Sequence, residues 1–308
     1  MKTRIAIMLG LAAAFFWPLQ AQAPGPFTVA ETGEAFGSLQ EAVAAIGRGS
    51  GTIRVAPGRY RECAVQEAGR VAYVAEVRGA AVFDGGACEG KATLVLRGKG
   101  ARVDGLVFMH VRVPDENGAG IRLEDGDLAV AFTRFADGEN GILANNGPKG
   151  AISIDRSTFT GLGERDGSHG LYVGHYGSLR VTDSRFERGA GGHYLKSRAP
   201  RIEVTGNSFD DSAGRRTNYL IDLSNGAAGR IAGNVFVHGS SKENYATMIS
   251  VAPEGAGNRS AGLAIEDNDA SVAPGFRWTT AFVGDWSGEP LAIRGNRVGP
   301  KIKLFERR

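Results

Sequence analysis

The feature that most constrains the fold of this chain is a repeated strand pattern that ends in phenylalanine. An alternating apolar stretch is followed by a small polar pair and then by Phe135, Phe159, Phe186, Phe209 or Phe236. These phenylalanines are 24, 27, 23 and 27 residues apart. A period of this length, with no helix-length apolar pattern between the copies, indicates a solenoid in which each coil stacks on the next.

A second short apolar stretch lies between successive copies, so each period holds at least two strands. These stretches are found at 120–123, 141–143, 170–173, 193–196 and 219–222. A coil of about 25 residues cannot bury its own apolar side chains, and stacking buries them in columns inside a tube. The sequence therefore predicts an all-β fold, a right-handed parallel β-helix of about eight to ten coils.

The N-terminal end of the tube is predicted to carry a short capping helix. Ser38 and Glu41 form a capping box, and Leu39, Val43 and Ile46 lie on one face of the helix that follows. Such a helix covers the apolar end of a solenoid. At the other end, four aromatic side chains either close the last coil or stack on sugar rings: Phe276, Trp278, Phe282 and Trp286.

The first residues form a targeting segment. Lys2 and Arg4 precede an apolar run at 5–16 that is too short to span a bilayer, and Ala21 and Ala23 offer cleavage sites. We therefore expect a signal peptide, removed after Ala21 or Ala23, and a secreted or periplasmic protein without a membrane span. An uncleaved N-terminal anchor is the alternative. The predicted organisation is a signal peptide at 1–23 and a single β-helix domain at 24–308.

The charge balance gives no sign of a nucleic-acid or membrane partner. The chain carries 36 basic and 33 acidic side chains, a net charge of +3. Loss of Lys2 and Arg4 with the signal peptide lowers the net charge of +3 by two, to +1. Any basic surface must therefore be local, and we expect a monomer that does not bind nucleic acid.

The two cysteines are expected to form a disulfide. Cys63 and Cys88 are 25 residues apart, which is about one coil. Adjacent coils lie about 4.8 Å apart, a distance that a disulfide can bridge, and export places the pair in an oxidising compartment. Two free buried thiols are the alternative.

Two segments near the N-terminus resemble the opening of pectin-lyase-like β-helix proteins. They are Phe36–Val43 and the strand and turn at Gly51–Tyr60. Together with the repeats, this resemblance covers nearly all of the chain after the signal peptide. It implies the β-helix fold but no single activity, because the fold carries lyases, hydrolases, esterases, epimerases and non-enzymatic surface proteins.

Side chains with useful chemistry are concentrated on two neighbouring periods. They are His169, Tyr172, His175, Tyr176, His193, Tyr194, Lys196 and Arg198. Outward side chains at one strand position in adjacent coils lie about 4.8 Å apart. The repeat register predicts one outward column made of Leu143, Tyr172, Lys196 and Asp222. Satisfied surface pairs and structural histidines are the alternative interpretation of this cluster.

The cluster resembles the sites of chondroitinase-B-like and alginate lyases, in which a lysine on the helix face is the base. The resemblance implies that Lys196 removes a proton from a uronic acid, and from its position beside Lys196 we expect Arg198 to neutralise the carboxylate. Tyr172 or His169 then protonates the leaving oxygen, and His193 completes the catalytic candidates. The predicted substrate contacts are Asp222, which also orients Lys196, and His175, Tyr176, Glu139 and Asn225.

The motifs of several related activities are absent from the sequence. No acidic pair precedes Lys196, so calcium stays open as a cofactor without a supporting motif, and the sequence predicts no metal-ligating residues and no other cofactor. The predicted function is an exported lyase that cleaves an acidic polysaccharide or oligosaccharide by β-elimination. A glycoside hydrolase and a non-catalytic carbohydrate-binding or cell-surface protein remain alternatives. Perturbed histidines and lysines in a groove favour an enzyme, whereas exposed aromatic side chains favour a binding protein.

Overall fold

A computed structural model describes residues 25–164 and 167–308 and consists of stacked coils with three strands per coil. The strands are numbered in chain order, and successive coils pair in parallel to form three long sheets that enclose an apolar core. This arrangement confirms the predicted parallel β-helix. The predicted signal peptide and its cleavage sites at Ala21 and Ala23 lie outside the described residues.

Sheet 1 contains twelve strands and begins with a short antiparallel addition, since β1 pairs antiparallel with both β2 and β3. The remaining strands are parallel. Its strands are β1 (Phe27–Val29), β2 (Glu34–Phe36), β3 (Ser50–Val55), β6 (Arg70–Ala75), β9 (Gly100–Asp104), β12 (Asp127–Ala131), β15 (Gly147–Asp155), β18 (Tyr176–Thr182), β21 (Arg201–Thr205), β24 (Ala228–Ala232), β27 (Ala264–Glu266) and β30 (Ala292–Arg294).

Sheet 2 contains ten short parallel strands, and its inward positions carry the repeated phenylalanines. Its strands are β4 (Gly58–Tyr60), β7 (Ala81–Asp84), β10 (Val107–Met109), β13 (Arg134–Ala136), β16 (Thr158–Thr160), β19 (Arg185–Glu187), β22 (Ser208–Asp210), β25 (Val235–His238), β28 (Asp269–Val272) and β31 (Arg297–Val298).

Sheet 3 also contains ten parallel strands, and its outward face carries the predicted site. Its strands are β5 (Ala64–Gln66), β8 (Ala92–Leu96), β11 (Ala119–Leu123), β14 (Asn140–Ala144), β17 (Leu171–Val173), β20 (Leu195–Ser197), β23 (Ile221–Leu223), β26 (Thr247–Val251), β29 (Thr280–Asp285) and β32 (Ile302–Arg307).

The interior is built from columns of identical residue types. From Phe83 to Phe236, seven phenylalanines stack with ring centroids 4.7 to 5.6 Å apart. Stacked rings of this kind contribute about 0.5–1.5 kcal/mol per pair beyond the area they bury. The repeat period read from the sequence is thus the period of this column.

The turn between sheets 1 and 2 contains an amide ladder. Asn207 donates to Asn234, Asn234 to Asn268, and Asn268 to Asn296, each through the side-chain amide at 2.8 to 3.0 Å. The left-handed backbone angle falls on the residue before each asparagine, as at Gly206 with φ of 70°. The asparagines therefore satisfy buried backbone groups, and the preceding residue makes the sharp corner.

The N-terminal cap and the disulfide are both as predicted. Helix α1 (Leu39–Ile46) begins with the Ser38–Glu41 capping box and packs its buried face on the first coil. The sulfurs of Cys63 and Cys88 are bonded, with a Cα–Cα distance of 5.5 Å. Across the described ranges, no helix has both the length and the apolar character needed to cross a membrane.

Candidate functional site

The predicted column is present on the outward face of sheet 3. Leu143 is in register with Tyr172, Tyr172 with Lys196, and Lys196 with Asp222. Ser250 continues the column on β26. Parallel pairing therefore brings together side chains that are more than twenty residues apart in the chain.

Lys196 lies between two carboxylates. Its Nζ is 2.6 Å from Oδ2 of Asp222 and 2.5 Å from Oε1 of Glu254. The Lys196 side chain is 8% exposed and that of Asp222 is 2% exposed, whereas that of Glu254 is 44% exposed. Lys196 thus forms ion pairs with one buried and one exposed carboxylate. The geometry therefore suits Lys196 to hold a negatively charged group.

Arg198 joins the same cluster just beyond β20. Its Nε donates to Oη of Tyr172 at 3.1 Å, and Nη1 donates to Oδ1 of Asn225 at 2.7 Å. Nη2 donates to Oε2 of Glu254 at 2.5 Å. Burial alone would lower the pKa of Arg198, but its hydrogen bonds to Tyr172 and Glu254 outweigh burial and raise the pKa.

Glu254 bridges the two cations with its two oxygens. Burial alone would raise the pKa of Glu254, but hydrogen bonds from Lys196 and Arg198 lower it to about 2. The carboxylate is therefore ionised at neutral pH and cannot act there as a general acid.

Asp222 is held in place by two serine hydroxyls as well as by Lys196. Its Oδ2 accepts from Ser224 Oγ at 2.9 Å, and its Oδ1 accepts from Ser250 Oγ at 2.9 Å. Nε2 of His193 is 3.6 Å from Oδ2. With these neighbours and Lys196, both oxygens of Asp222 are hydrogen bonded and its side chain is buried. It is thus placed to orient Lys196.

One wall of the site is a ladder of side chains that accept backbone N–H groups from the next coil. The N–H of His169 donates to Oδ1 of Asn140, that of His193 to Nδ1 of His169, and that of Tyr219 to Nδ1 of His193, at 2.8 to 3.2 Å. An Nδ1 that accepts carries no hydrogen, so the hydrogen of each neutral imidazole is on Nε2.

The two ladder histidines are neutral at physiological pH. Burial, reinforced by His193 and Lys196, holds the pKa of His169 well below its ordinary value. Burial and the charge of Lys196 likewise lower the pKa of His193 to about 3. A neutral imidazole whose hydrogen is on Nε2 donates hydrogen bonds but is a poor proton donor. The geometry therefore favours Tyr172 over His169 as the group that exchanges a proton.

The other predicted substrate contacts are distributed differently. Glu139 is buried, and its Oε2 accepts from the backbone of Gly118 and Val113, so it anchors a loop. Tyr176 points into the core and is fully buried, while His175 is exposed on the turn after β17. Of this group, the structure brings Asn225 to the Lys196 cluster.

A cleft of about 640 Å³ adjoins Tyr172 on its N-terminal side. Lys91, Arg122, Leu143 and Asn145 help to line it. Nε of Arg122 is buried without a hydrogen-bond partner in the described residues. The cleft meets the Lys196 cluster at Tyr172 and adds cationic side chains beside it. We refer to this cleft and the adjoining cluster together as the groove.

Two exposed aromatic residues lie just before β26 and β29, the strands of sheet 3 that follow the Lys196 cluster. Tyr245 and Trp278 are 42% and 39% exposed and stack with ring centroids 4.8 Å apart. Phe276 and Phe282 are buried, so these two close the last coils as one of the sequence interpretations expected. Trp278 is instead available to a ligand.

A second lysine–aspartate pair lies in the turns between sheets 2 and 3. Nζ of Lys242 is 2.9 Å from Oδ2 of Asp211, and both side chains are fully buried. Asp211 also accepts from the hydroxyls of Tyr194 and Thr217 at 2.7 and 2.8 Å. Burial lowers the pKa of Lys242. This pair ties together the loops that form the wall of the groove.

Sequence reasoning missed Glu254, Ser224, Ser250 and the Asp211–Lys242 pair. Ser250 follows Asp222 by 28 residues, so counting one further coil would have found it. Glu254 lies in a longer turn at 252–262 that has no counterpart at the same place in earlier coils. No periodic signal marks it.

Within residues 25–164 and 167–308, no three histidine, cysteine or acidic side chains are grouped so that they could hold a metal ion. The protein groups that converge in the groove are therefore two cations, a phenol, two carboxylates and two neutral imidazoles. Such a set can bind an anion and exchange a proton beside it.

Comparisons with known proteins agree with the architecture. No curated protein matches the sequence significantly. A solved structure of ORF18 of Geobacillus virus E2 is similar, with a TM-score of 0.51 and 11% identity. The alignment covers 87% of this chain and 57% of that chain, so this chain spans less than two thirds of the viral protein. At this identity the likeness concerns the fold alone.

A family profile described as "Right handed beta helix region" matches residues 93–273. The match covers more than half of the chain and includes β17, β20 and β23, which carry the Lys196 cluster. The chain belongs to the right-handed β-helix family.

Proposed function

We propose that the groove on sheet 3 binds a polysaccharide containing uronic acid and cleaves it by β-elimination. The observation that carries this proposal is the pair of cations, Lys196 and Arg198, which share one carboxylate beside the Tyr172 hydroxyl. Elimination requires both features, because the anion that develops at the substrate carboxylate must be neutralised while a proton leaves the adjacent carbon.

The roles of the residues follow from their partners. Lys196 and Arg198 hold the uronate carboxylate. In this role Tyr172 starts as the phenolate, takes the proton from the carbon that bears this carboxylate, and so becomes the phenol. The phenol gives that proton to the glycosidic oxygen as the bond to the leaving sugar breaks, and the phenolate is restored. The Arg198 guanidinium donates to this oxygen, which stabilises the phenolate at the start and at the end of the step. Asp222 and His193 position Lys196.

Lys196 is the second candidate for the base, as the family resemblance implies. In that role its Nζ would have to leave the ion pairs with Asp222 and Glu254 to reach the substrate. These ion pairs therefore favour a role for Lys196 in holding the uronate carboxylate over a role as the base. The two roles predict different behaviour in variants.

Hydrolysis is less well supported. Asp222 and Glu254 both contact Lys196, and a glycosidase would use two such carboxyl groups, one of them as the acid. One of the two must then serve as an acid with a raised pKa, but the pKa of Glu254 is lowered to about 2. Asp222 is buried, and both of its oxygens are hydrogen bonded.

A binding protein without catalysis is the second candidate function. The exposed Tyr245–Trp278 stack favours it, because an apolar ring face beside polar groups suits a sugar ring. The same stack also suits an enzyme whose groove holds several sugar units. Binding without product formation distinguishes this candidate from a lyase.

The test is an assay of the purified protein against a panel that includes polygalacturonate and alginate, followed by the ultraviolet absorbance of unsaturated products. We expect product from at least one substrate. Tyr172→Phe should then abolish product while retaining substrate binding, and Lys196→Met should weaken binding itself. If Tyr172→Phe keeps its rate while Lys196→Met binds normally without product, Lys196 is the base. Binding without product from any substrate would leave the non-catalytic candidate.

A further inference from the structure

The carboxylate of Glu254 lies where the two cations of the groove can hold one anion between them. We infer that Lys196 and Arg198 form a binding site for a single carboxylate group of the ligand, and that Glu254 fills this site until a uronate displaces it. This inference rests on the binding half of the function proposed above.

The bridge has the geometry of a carboxylate site. One oxygen of Glu254 accepts from Lys196 and the other accepts from Arg198, each at 2.5 Å. A uronate carboxylate has the same planar pair of oxygens, so it can make the same two charge-assisted hydrogen bonds. A neutral hydroxyl cannot replace them without leaving a cation unpaired.

Glu254 can leave the site without disturbing the fold. Its side chain is 44% exposed, and the turn that carries it is held by backbone bonds. The N–H of Glu254 donates to Ser224 at 2.9 Å, and that of Asn258 donates to Asn225 at 2.8 Å. Rotation of the side chain into solvent leaves these bonds intact. Asp222, which is buried and hydrogen bonded through both oxygens, has no such freedom.

The exchange also accounts for selectivity. Lys196 keeps Asp222 when Glu254 leaves, but Arg198 is largely buried and loses its carboxylate partner, and a largely buried cation without a counter-charge is costly. Replacement of Glu254 by a ligand carboxylate keeps the cations paired throughout, whereas a neutral sugar would have to bind beside the existing bridge. Glu254 therefore sets the affinity for acidic ligands and has little effect on neutral ones.

The experiment is calorimetric titration of the full protein with trigalacturonate and, separately, with galactose. The test variant is Glu254→Gln, and the matched control is Glu203→Gln on sheet 1. Glu203 is 46% exposed and pairs with Arg180 at 3.4 Å. We expect Glu254→Gln to bind trigalacturonate on the order of tenfold more tightly than the unaltered protein, with galactose and the control variant unchanged.

Unchanged or weaker binding of trigalacturonate by Glu254→Gln would overturn the inference, as would an equal gain for galactose. Product formation is followed in the same samples. If Glu254→Gln binds trigalacturonate more tightly but no unsaturated product forms, the result supports the carboxylate site and excludes the lyase activity. If unsaturated product forms but Glu254→Gln gains no affinity, the competition by Glu254 is excluded and the lyase activity is retained. Thermal melting checks that each variant is folded.

Discussion

The molecule contains two buried lysine–aspartate pairs that differ in what surrounds them. Lys242 and Asp211 are fully buried, and their neighbours Thr217, Asn218 and Tyr194 belong to the same wall of loops. Lys196 and Asp222 are almost as buried. Their cluster, however, opens to solvent through the carboxylate of Glu254.

The difference shows that burial of a charge does not identify a functional site. The hydrogen bonds of Asp211 and Lys242 fasten the turns at 217–218 and 239–242, and Tyr194 links Asp211 to the turn at 189, so the pair is structural. The Lys196 pair leaves one of its partners exchangeable. Perturbed charges become available to a ligand only where a partner can be replaced.

The largest expected effect is on stability at the fully buried Lys242–Asp211 pair. Lys242→Met leaves Asp211 charged and buried, and removal of one partner of a buried pair costs about 3–5 kcal/mol. Denaturant unfolding measures this loss. Asp211→Asn in the same background should recover part of it, because a neutral amide needs no counter-charge. Lys196→Met should cost clearly less, because its cluster borders solvent through Glu254, and equal losses would erase the distinction between the pairs.

The second expected effect is on activity and concerns the Lys196–Asp222 pair. Lys196→Met removes one of the two groups that neutralise the substrate carboxylate, and loss of one such donor lowers kcat by about 10²–10³. The rate of unsaturated product formation measures it. Lys242→Met, assayed under conditions where it is folded, should keep its rate. A normal rate in Lys196→Met would place the chemistry elsewhere.

The third prediction concerns acid stability and compares histidines of the two regions. The pKa of His193 in the groove and that of His238 beside Lys242 are each lowered to about 3, chiefly by burial. Between pH 6.5 and about 3 the unfolded chain binds protons that the folded protein excludes. The free energy of unfolding should therefore fall on acidification, by about 1.4 kcal/mol per pH unit for each histidine.

The control for this prediction comes from the ladder itself. Asn140 occupies the equivalent ladder position one coil before His169, and its side-chain oxygen accepts the corresponding backbone N–H of the next coil, that of His169. His193→Asn should therefore keep the hydrogen bond from Tyr219 and remove one histidine from the pH dependence. A slope that does not change between this variant and the unaltered protein would mean that His193 is charged in the folded state.

The smallest expected effect is at the aromatic stack. Trp278→Ala should weaken oligosaccharide binding by about 0.5–1.5 kcal/mol, the usual contribution of a stacked ring. Val235→Ala, an exposed apolar change on sheet 2, should have no effect. Equal effects of the two changes in a binding titration would exclude the stack from the ligand site.

The sequence predicts the repetitive part of the molecule well because repetition is a physical constraint. A column such as Phe159, Phe186 and Phe209 requires one period, and the same period places Tyr172, Lys196 and Asp222 in register. Pairing of Cys63 with Cys88 follows from the same count.

The remaining parts of the site depend on turns that do not repeat. Glu254 reaches Lys196 from a turn 58 residues further along the chain, and no period relates the two. The states of His169 and His193 depend on burial and on backbone donors from the next coil, which the residue types alone do not specify. The sequence-based hypothesis that Lys196 is the base was made without knowledge of Glu254 or of these backbone donors.

The most direct test of the account is a crystal structure of the protein with trigalacturonate. The account predicts a uronate carboxylate within hydrogen-bond distance of Lys196 Nζ and Arg198 Nη2, with the Glu254 side chain turned away and the adjacent ring beside Tyr172. The contradicting result is an oligosaccharide bound elsewhere, for example in the cleft on sheet 1 lined by Thr52, Ala72 and Ala129, with Glu254 still bridging the two cations.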